Sequence, residues 1–264
     1  MESLTQSPVN RIELPALNKI ILRKQWGMNL LDSEVLSGKD DSEHETESGV
    51  LELRNLTVGY DEALISDINV KIKPGETIAI LGPSGIGKTT LLRTIAGLIR
   101  PLEGEITHDF PKRSGIGYIP QRLGLVRHSS VRSNVAIGAR TRKPRWYPAI
   151  LPLGKELNQD VNSALEALNI QDLSANPVRI LSGGQQRRVA IARALIQKPK
   201  LLLADEFLGE LDTENVKSIV KATKGLISDI GATLIMVEHH EDRAHKIADR
   251  IWRIIDGKIV EDGE

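Results

Sequence analysis

The sequence predicts an α/β domain with a mainly parallel sheet. From Val50 onward, apolar strand patterns alternate with stretches of helical spacing, which is typical of this fold class. One strand pattern, TIAIL at residues 77–81, is apolar on both faces, as strands in the middle of a parallel sheet are. A chain of 264 residues with 40% hydrophobic and 27% charged residues is long and apolar enough to bury a substantial core.

The first 49 residues differ in composition from the rest. Apolar and basic residues mix between Arg11 and Leu31, and a stretch with five acidic residues between positions 40 and 47 follows. We expect residues 1–49 to form an N-terminal extension that is partly a disordered acidic linker. An organelle-targeting segment is the alternative interpretation of this region. Residues 50–264 are predicted to form the folded domain.

The first strands are predicted to be antiparallel. Residues 50–60, VLELRNLTVGY, alternate apolar and polar side chains, as a half-buried antiparallel strand does. Residues 68–82, INVKIKPGETIAILG, contain two strands that Pro74 and Gly75 separate with a turn. This part of the chain therefore leads from an antiparallel region into the parallel sheet.

Helices and buried strands are predicted after this point. The spacing of apolar residues from Leu91 to Ile99 predicts a helix that ends before Pro101. Residues 123–197 lack strong strand patterns and are predicted to form a largely helical insertion. Three apolar strands then follow, KLLLAD, ATLIMVEH and RIWRII, with helical stretches such as 213–229 between them.

The nonapeptide GPSGIGKTT matches the phosphate-loop pattern G-x-x-x-x-G-K-[ST] between a buried strand and a helix. Its glycines let the backbone curl so that N–H groups point at phosphate oxygens. The Lys supplies a cation to the β- and γ-phosphates, the first Thr supplies a hydroxyl to Mg²⁺, and the helix N-terminus adds its dipole. The predicted nucleotide-binding residues here are Gly82, Pro83, Ser84, Gly85, Ile86, Gly87, Lys88, Thr89 and Thr90.

Two adjacent acids, Asp205 and Glu206, follow the apolar run 201–204. A phosphate-binding fold needs a carboxylate at the end of another buried strand to hold Mg²⁺, and Asp205 meets that need. Glu206 would point elsewhere and could accept a proton from the attacking water. Solvated loop acids or helix-start acids are the alternative interpretation, which is the usual role of such residues.

Charge and cysteine content exclude several classes of function. Thirty-five basic residues balance 35 acidic ones, so the protein has no net positive charge that would attract nucleic acid or an anionic membrane. We therefore expect no nucleic-acid partner. The absence of cysteine excludes disulfides, thiolate metal sites and thiol catalysis. No apolar run is long enough to span a bilayer, so a membrane role would require a partner.

Residues 181–188, LSGGQQRR, together with the phosphate loop and LLLADE, resemble the nucleotide-binding subunit of an ATP-binding-cassette (ABC) transporter from about Val50 to Gly263. This resemblance implies a P-loop NTPase (RecA-like) core, an N-terminal antiparallel β subdomain and an inserted helical subdomain. It also implies Mg²⁺-dependent hydrolysis of ATP to ADP and phosphate by a head-to-tail dimer with a second copy or a homologous cassette. Integral membrane permeases would be the coupled partners, at the cytoplasmic face of the cell membrane, and a substrate-binding protein is a further candidate.

The resemblance assigns a role to several residues. Tyr60 would stack on adenine, His239 would contact the γ-phosphate, and Asp212 would link the two sites of the dimer. The signature loop would face the nucleotide of the other subunit, whereas from sequence alone it could simply be a turn that caps a helix. The implied catalytic residues are Lys88, Gln121, Glu206 and His239, the metal ligands are Thr89, Gln121 and Asp205, and the signature residues are Ser182, Gly183, Gly184 and Gln185.

The chain departs from the family pattern in two places. Phe207 and Leu208 replace the more usual Pro-Thr after the catalytic Glu, and Glu238 and His240 flank His239 where Thr and Asp are common. These departures leave the rate of hydrolysis and the loop geometry open. For Phe207 we expect a packing change beside the base, with catalysis retained.

Different parts of the sequence favour different cargoes, and two alternatives to a transporter subunit exist. The C-terminal part resembles cassettes of lipoprotein-release and macrolide-export systems, while residues 134–150 resemble phosphonate-type importers, so substrate and direction stay open. A soluble ABC ATPase, for example of the iron–sulfur assembly type, and a degenerate cassette that does not hydrolyse ATP are the alternatives to a transporter subunit.

Overall fold

The computed structural model of the protein describes residues 50–111, 114–148, 151–209 and 213–262. Within these ranges the strands are β1 Leu51–Gly59, β2 Ala63–Ile72, β3 Thr77–Leu81, β4 Glu103–His108, β5 Ile116–Ile119, β6 Leu201–Asp205, β7 Thr233–Val237, β8 Arg250–Ile255 and β9 Lys258–Glu261. The α-helices are α1 Lys88–Ile95, α2 Val131–Arg140, α3 Lys155–Ala167, α4 Gly183–Leu195, α5 Thr213–Ile230 and α6 Glu241–Ile247. The predicted extension 1–49 lies outside the described residues, and its proposed boundary stays a prediction.

The main sheet has the strand order β5-β6-β7-β3-β8-β9 in the described part of the chain. Its strands pair in parallel from β5 to β8, and only β9 is antiparallel. Every residue of β3, β6 and β7 is buried, as their apolar sequences predicted. Because the carboxyl ends of parallel strands meet at one edge, the loops after β3, β5, β6 and β7 converge there.

The second sheet is antiparallel, with the order β2-β1-β4, which confirms the predicted antiparallel region. The clean alternation expected along β1 is wrong beyond its first residues. Asn55 has a left-handed backbone with φ 47°, and the pairing of β1 shifts register with both neighbouring strands close to it. After this irregularity residues 56–59 are all buried, and Leu56 and Val58 belong to the same hydrophobic cluster as Leu51 and Leu53.

Helix α1 runs from Lys88 to Ile95, so it ends four residues before Ile99, the last residue of the predicted helical spacing. Gly97 adopts a left-handed backbone with φ 71°, and its N–H bonds to the carbonyl of Thr94, which closes the last turn. Leu98 is therefore 63% exposed instead of lying on the buried face of the helix. The apolar spacing continued past the residue that ends the helix.

The insertion between β5 and β6 contains α2, α3, α4 and two short 3₁₀ helices at Gln171–Leu173 and Val178–Ile180, which confirms its predicted helical character. Helices α2 and α4 approach closely at Gly138, where an added Cβ would lie 2.0 Å from the carbonyl oxygen of Arg193. Only glycine permits that approach. Among the described residues, no helix combines the length and apolar character needed to cross a membrane.

Candidate functional site

The phosphate loop follows β3 and leads directly into α1. Gly87 has φ 111°, and a Cβ at this position would lie 3.0 Å from the Cβ of Leu64, so both backbone conformation and space require glycine. Lys88 is buried, and its Nζ donates to the carbonyl oxygens of Gly82 at 2.7 Å and Pro83 at 2.8 Å. The loop is therefore curled around the ammonium group. Burial lowers the pKa of Lys88, although nearby carboxylates oppose that shift.

Asp205 ends the buried strand β6 and lies next to the start of α1. The hydroxyl of Thr89 donates to Oδ1 of Asp205 at 3.1 Å. Asp205 is only 1% exposed, and its Oδ2 is buried without a hydrogen-bond partner among the described residues. Burial raises the pKa of this carboxyl, while the Thr89 hydroxyl acts in the opposite direction. A carboxylate with an unpaired buried oxygen beside a hydroxyl is a set of oxygen ligands that suits Mg²⁺.

The carboxylate of Glu206 is held from two sides. Nε2 of Gln121, after β5, lies 2.6 Å from Oε2, and Nε2 of His239, after β7, lies 2.6 Å from Oε1. Glu206 itself has a left-handed backbone with φ 51°, and its carboxylate has different partners from that of Asp205, which accepts from Thr89. Loops after three adjacent strands thus orient one carboxylate, as a general base requires.

Two arginines that the sequence interpretation missed hold the backbone of the Glu206 loop. Nη1 of Arg187 in α4 donates to the carbonyl oxygen of Glu206 at 3.1 Å, and Nη1 of Arg243 in α6 donates to that of Leu208, also at 3.1 Å. Arg187 lies within LSGGQQRR and is 9% exposed. A basic residue on the buried face of a predicted helix is a signal that could have identified it.

Phe207 and Leu208, the two departures after Glu206, are 3% and 1% exposed. Both belong to the larger hydrophobic cluster, which also contains residues of α4, α5 and β7. The unusual aromatic residue therefore contributes to the core beneath the loop, while Glu206 projects from the same loop toward Gln121 and His239.

Two further predicted groups lie away from these contacts. Ser182 caps α4: Gln185 N–H donates to its Oγ at 3.3 Å, and its own N–H donates to Oε1 of Gln185 at 2.9 Å. Tyr60 is 57% exposed at the turn after β1, and its side chain interacts with that of Arg93 in α1. Among the described residues, no hydrogen bond joins Ser182, Gln185 or Tyr60 to the Glu206 carboxylate. Asp212 lies outside the described residues.

The family model of the ABC transporter matches residues 65–209, which include the phosphate loop, Gln121, the LSGGQQRR segment and the two acids after β6. The chain belongs to the ABC transporter family. Its α/β core with an antiparallel sheet and a helical insertion is the fold of the family's ATP-binding cassette, as the sequence predicted.

Two relatives and one solved structure agree with this membership. The chain is 38% identical to the molybdate/tungstate import ATP-binding protein of Pyrococcus horikoshii and 39% identical to the spermidine/putrescine import ATP-binding protein of Mesoplasma florum. These matches cover 81% and 82% of this chain but only 62% of each relative's length. An ATP-binding cassette solved as a dimer in a post-hydrolysis state with ADP and phosphate has a TM-score of 0.69 and 29% identity, with 80% of this chain and 97% of that chain covered.

Proposed function

We propose that the protein is the ATP-binding and ATP-hydrolysing subunit of an ABC transporter. One observation carries the proposal: at a single sheet edge the Lys88 loop and the Thr89–Asp205 pair lie beside a Glu206 carboxylate that Gln121 and His239 orient. Phosphate binding, metal binding and activation of water need these three groups together. The two relatives named above support the proposal, since both are import ATP-binding proteins.

In the proposed reaction a water oxygen attacks the γ-phosphorus of ATP, and the bond from that phosphorus to the β,γ-bridging oxygen breaks. Glu206 accepts a proton from the water, ADP leaves, and phosphate is released. Gln121 and His239 hold the carboxylate so that one of its oxygens faces the nucleophile. The His239 side chain is 38% exposed, and in the proposed complex its imidazole would also contact a γ-phosphate oxygen.

The triphosphate would occupy the loop at the start of α1. The Lys88 ammonium would exchange its bonds to Gly82 and Pro83 for bonds to β- and γ-phosphate oxygens, and the first N–H groups of α1 point in the same direction. Thr89 and Asp205 would hold Mg²⁺, with Gln121 as a further ligand. When bound, Mg²⁺ neutralises phosphate charge in the transition state. Tyr60 would stack on adenine with its exposed ring.

A second cassette would complete each site. The N–H groups in the first turn of α4 form an anion-binding end, and Ser182, Gly183 and Gly184 are exposed or half-buried there. We infer that this end faces the γ-phosphate bound by the partner subunit in a head-to-tail dimer, with Asp212 linking the two sites. The solved neighbour that is dimeric and holds ADP and phosphate supports this arrangement.

Coupling to membrane permeases at the cytoplasmic face follows from the same proposal. Import is favoured over export because the relatives named above are import proteins. Molybdate and tungstate are oxyanions, whereas spermidine and putrescine are polyamines, so the cargoes of the two relatives differ in charge. The permease and any substrate-binding protein would therefore determine the cargo.

Phosphate release from ATP by the purified protein tests the enzymatic part. We expect turnover that requires Mg²⁺ and that rises when the protein is concentrated, because two subunits form each site. A continuous phosphate assay across protein concentration measures both properties. Absence of Mg²⁺-dependent turnover over the whole concentration range, with permease subunits added, would contradict the proposal.

The signature loop can be tested with two matched serines. Ser182 and Ser130 both accept a hydrogen bond from the N3 backbone N–H of a helix, so Ser182→Ala and Ser130→Ala should each cost about 1 kcal/mol of unfolding free energy. Only Ser182→Ala should weaken ATP-dependent dimer formation. Urea denaturation and light scattering with ATP measure the two effects, and equal dimerisation of both variants would exclude a role for Ser182 in the partner's site.

A further inference from the structure

Glu238 is a buried acid directly after β7, with 5% of its surface exposed. Its Oε1 accepts from the N–H of His239 at 3.1 Å and from the N–H of His240 at 3.3 Å. A buried carboxylate is costly unless hydrogen bonds and an opposite charge compensate for lost hydration. The side chain of Glu238 therefore holds the backbone of the residue that carries the imidazole.

The opposite charge comes from Arg243 in the first turn of α6. Its Nη1 lies 3.4 Å from Oε1 of Glu238 and donates to the carbonyl oxygen of Leu208 at 3.1 Å. One guanidinium thus joins the loop after β7, which carries His239, to the loop after β6, which carries Glu206. The Arg243 side chain is 22% exposed, so the contact is partly shielded from water and salt.

The two joined loops meet again at the proposed reaction centre, where Nε2 of His239 lies 2.6 Å from Oε1 of Glu206. Leu208 is buried in the core, and the N–H groups of His239 and His240 donate to Glu238, so the guanidinium adds a second connection between the two loops. Loss of the connection would leave both loops folded but free to shift relative to each other.

We propose that Glu238 and Arg243 are positioning residues for hydrolysis, which act by holding the His239 imidazole against the Glu206 carboxylate. The inference depends on the proposed ATPase function and extends it to two residues that do not touch the nucleotide. Misplacement of a catalytic group by about 1 Å can cost about 10²-fold in rate, so loss of the link between the two loops should lower kcat.

The direct test is the variant Arg243→Met, which keeps much of the side-chain length and removes the guanidinium. We expect kcat to fall about 10-fold or more, while KM for ATP changes less than about twofold, because ground-state binding of the phosphates is untouched. Arg243→Lys should restore part of kcat. The double variant Glu238→Gln/Arg243→Met should lose no more than the worse single variant, since both changes break one connection.

Arg253→Met is the matched control, since Arg253 pairs with Glu241 of the same helix and with Asp262. We expect it to leave kcat within about twofold of wild type, as surface ion pairs contribute little. The inference is overturned if Arg243→Met keeps wild-type kcat. It is also overturned if kcat, KM and the melting temperature change together, because that pattern indicates general unfolding.

A measurement without ATP separates this inference from the proposed function. The imidazole proton signals of His239, assigned by NMR with the variant His239→Gln, should shift in Glu206→Gln because the contact partner changes. Arg243→Met should move them by at least about half as much if it misplaces the imidazole. Unchanged signals would overturn the positioning role even if wild type hydrolyses ATP. Shifted signals in a protein without turnover would uphold the link from Arg243 to the His239 imidazole and reject the ATPase proposal.

Discussion

Replacing Glu206 by Gln is expected to lower the rate of ATP hydrolysis by about 10²–10⁴-fold while leaving ATP binding intact. The amide has the same shape and can keep one hydrogen bond, either to Gln121 or to His239, so the loop stays in place. It cannot accept a proton from water. Because binding then proceeds without hydrolysis, the variant should accumulate as an ATP-bound dimer, which wild type passes through only transiently.

Single-turnover phosphate release and light scattering with ATP measure these two effects. Glu166→Gln is the matched control, since Glu166 is an exposed acid on α3, and this variant should behave as wild type in both assays. Hydrolysis by Glu206→Gln at the wild-type rate would show that another group is the base. Loss of ATP binding would show that the carboxylate acts mainly in the ground state.

The positions of Asp205 and Glu206 could be predicted because they depend on local patterns. The run 77–81, apolar on both faces, predicted β3 as a central strand, and apolar runs predicted the strands β6 and β7, so residues directly after these strands should lie at one sheet edge. The capping box at Ser182 is equally local, since its two hydrogen bonds join residues three apart. The structure shows that Ser182 caps α4, while its proposed contact with the nucleotide of a partner subunit stays a prediction.

The supports of the Glu206 loop could not be predicted because they join distant parts of the chain. Arg187 and Arg243 reach the loop from helices that begin 23 residues before Glu206 and 35 residues after it, counted from Gly183 and Glu241. Helical periodicity places each arginine on a face of its own helix but does not say which carbonyl that face meets. The early end of α1 at Ile95 was missed for a related reason, since apolar spacing continued beyond the glycine that ends the helix.

Asp205→Asn should have opposite effects on activity and on the stability of the free protein. Loss of the metal carboxylate should reduce Mg²⁺-dependent hydrolysis by about 10²-fold or more, because metal charge stabilisation is worth several kcal/mol. Without nucleotide and Mg²⁺ the same change should stabilise the fold near neutral pH. It replaces a 1% exposed carboxylate, whose Oδ2 has no partner among the described residues, with a neutral amide whose oxygen can still accept from Thr89.

The pH dependence of that stabilisation follows from the direction of the shift. Burial raises the pKa of Asp205 in the folded protein above its ordinary value of 3.8, so the fold favours the protonated form. Its stabilising contribution is fully present below the unfolded pKa and is lost as pH rises through the raised folded pKa. The stability advantage of Asp205→Asn over wild type should therefore be small in acid and grow toward neutral pH.

Urea denaturation across pH, with and without ATP and Mg²⁺, measures both effects. The exposed Asp172 provides the control. Asp172→Asn should have the same unfolding free energy as wild type without ligand, and it should be stabilised equally by ATP and Mg²⁺. With ATP and Mg²⁺ present, wild type should be more stable to urea than Asp205→Asn, since wild type gains binding free energy that Asp205→Asn cannot gain in full. Greater stability of wild type over Asp205→Asn without ligand at neutral pH would show that the buried carboxylate is compensated within the protein.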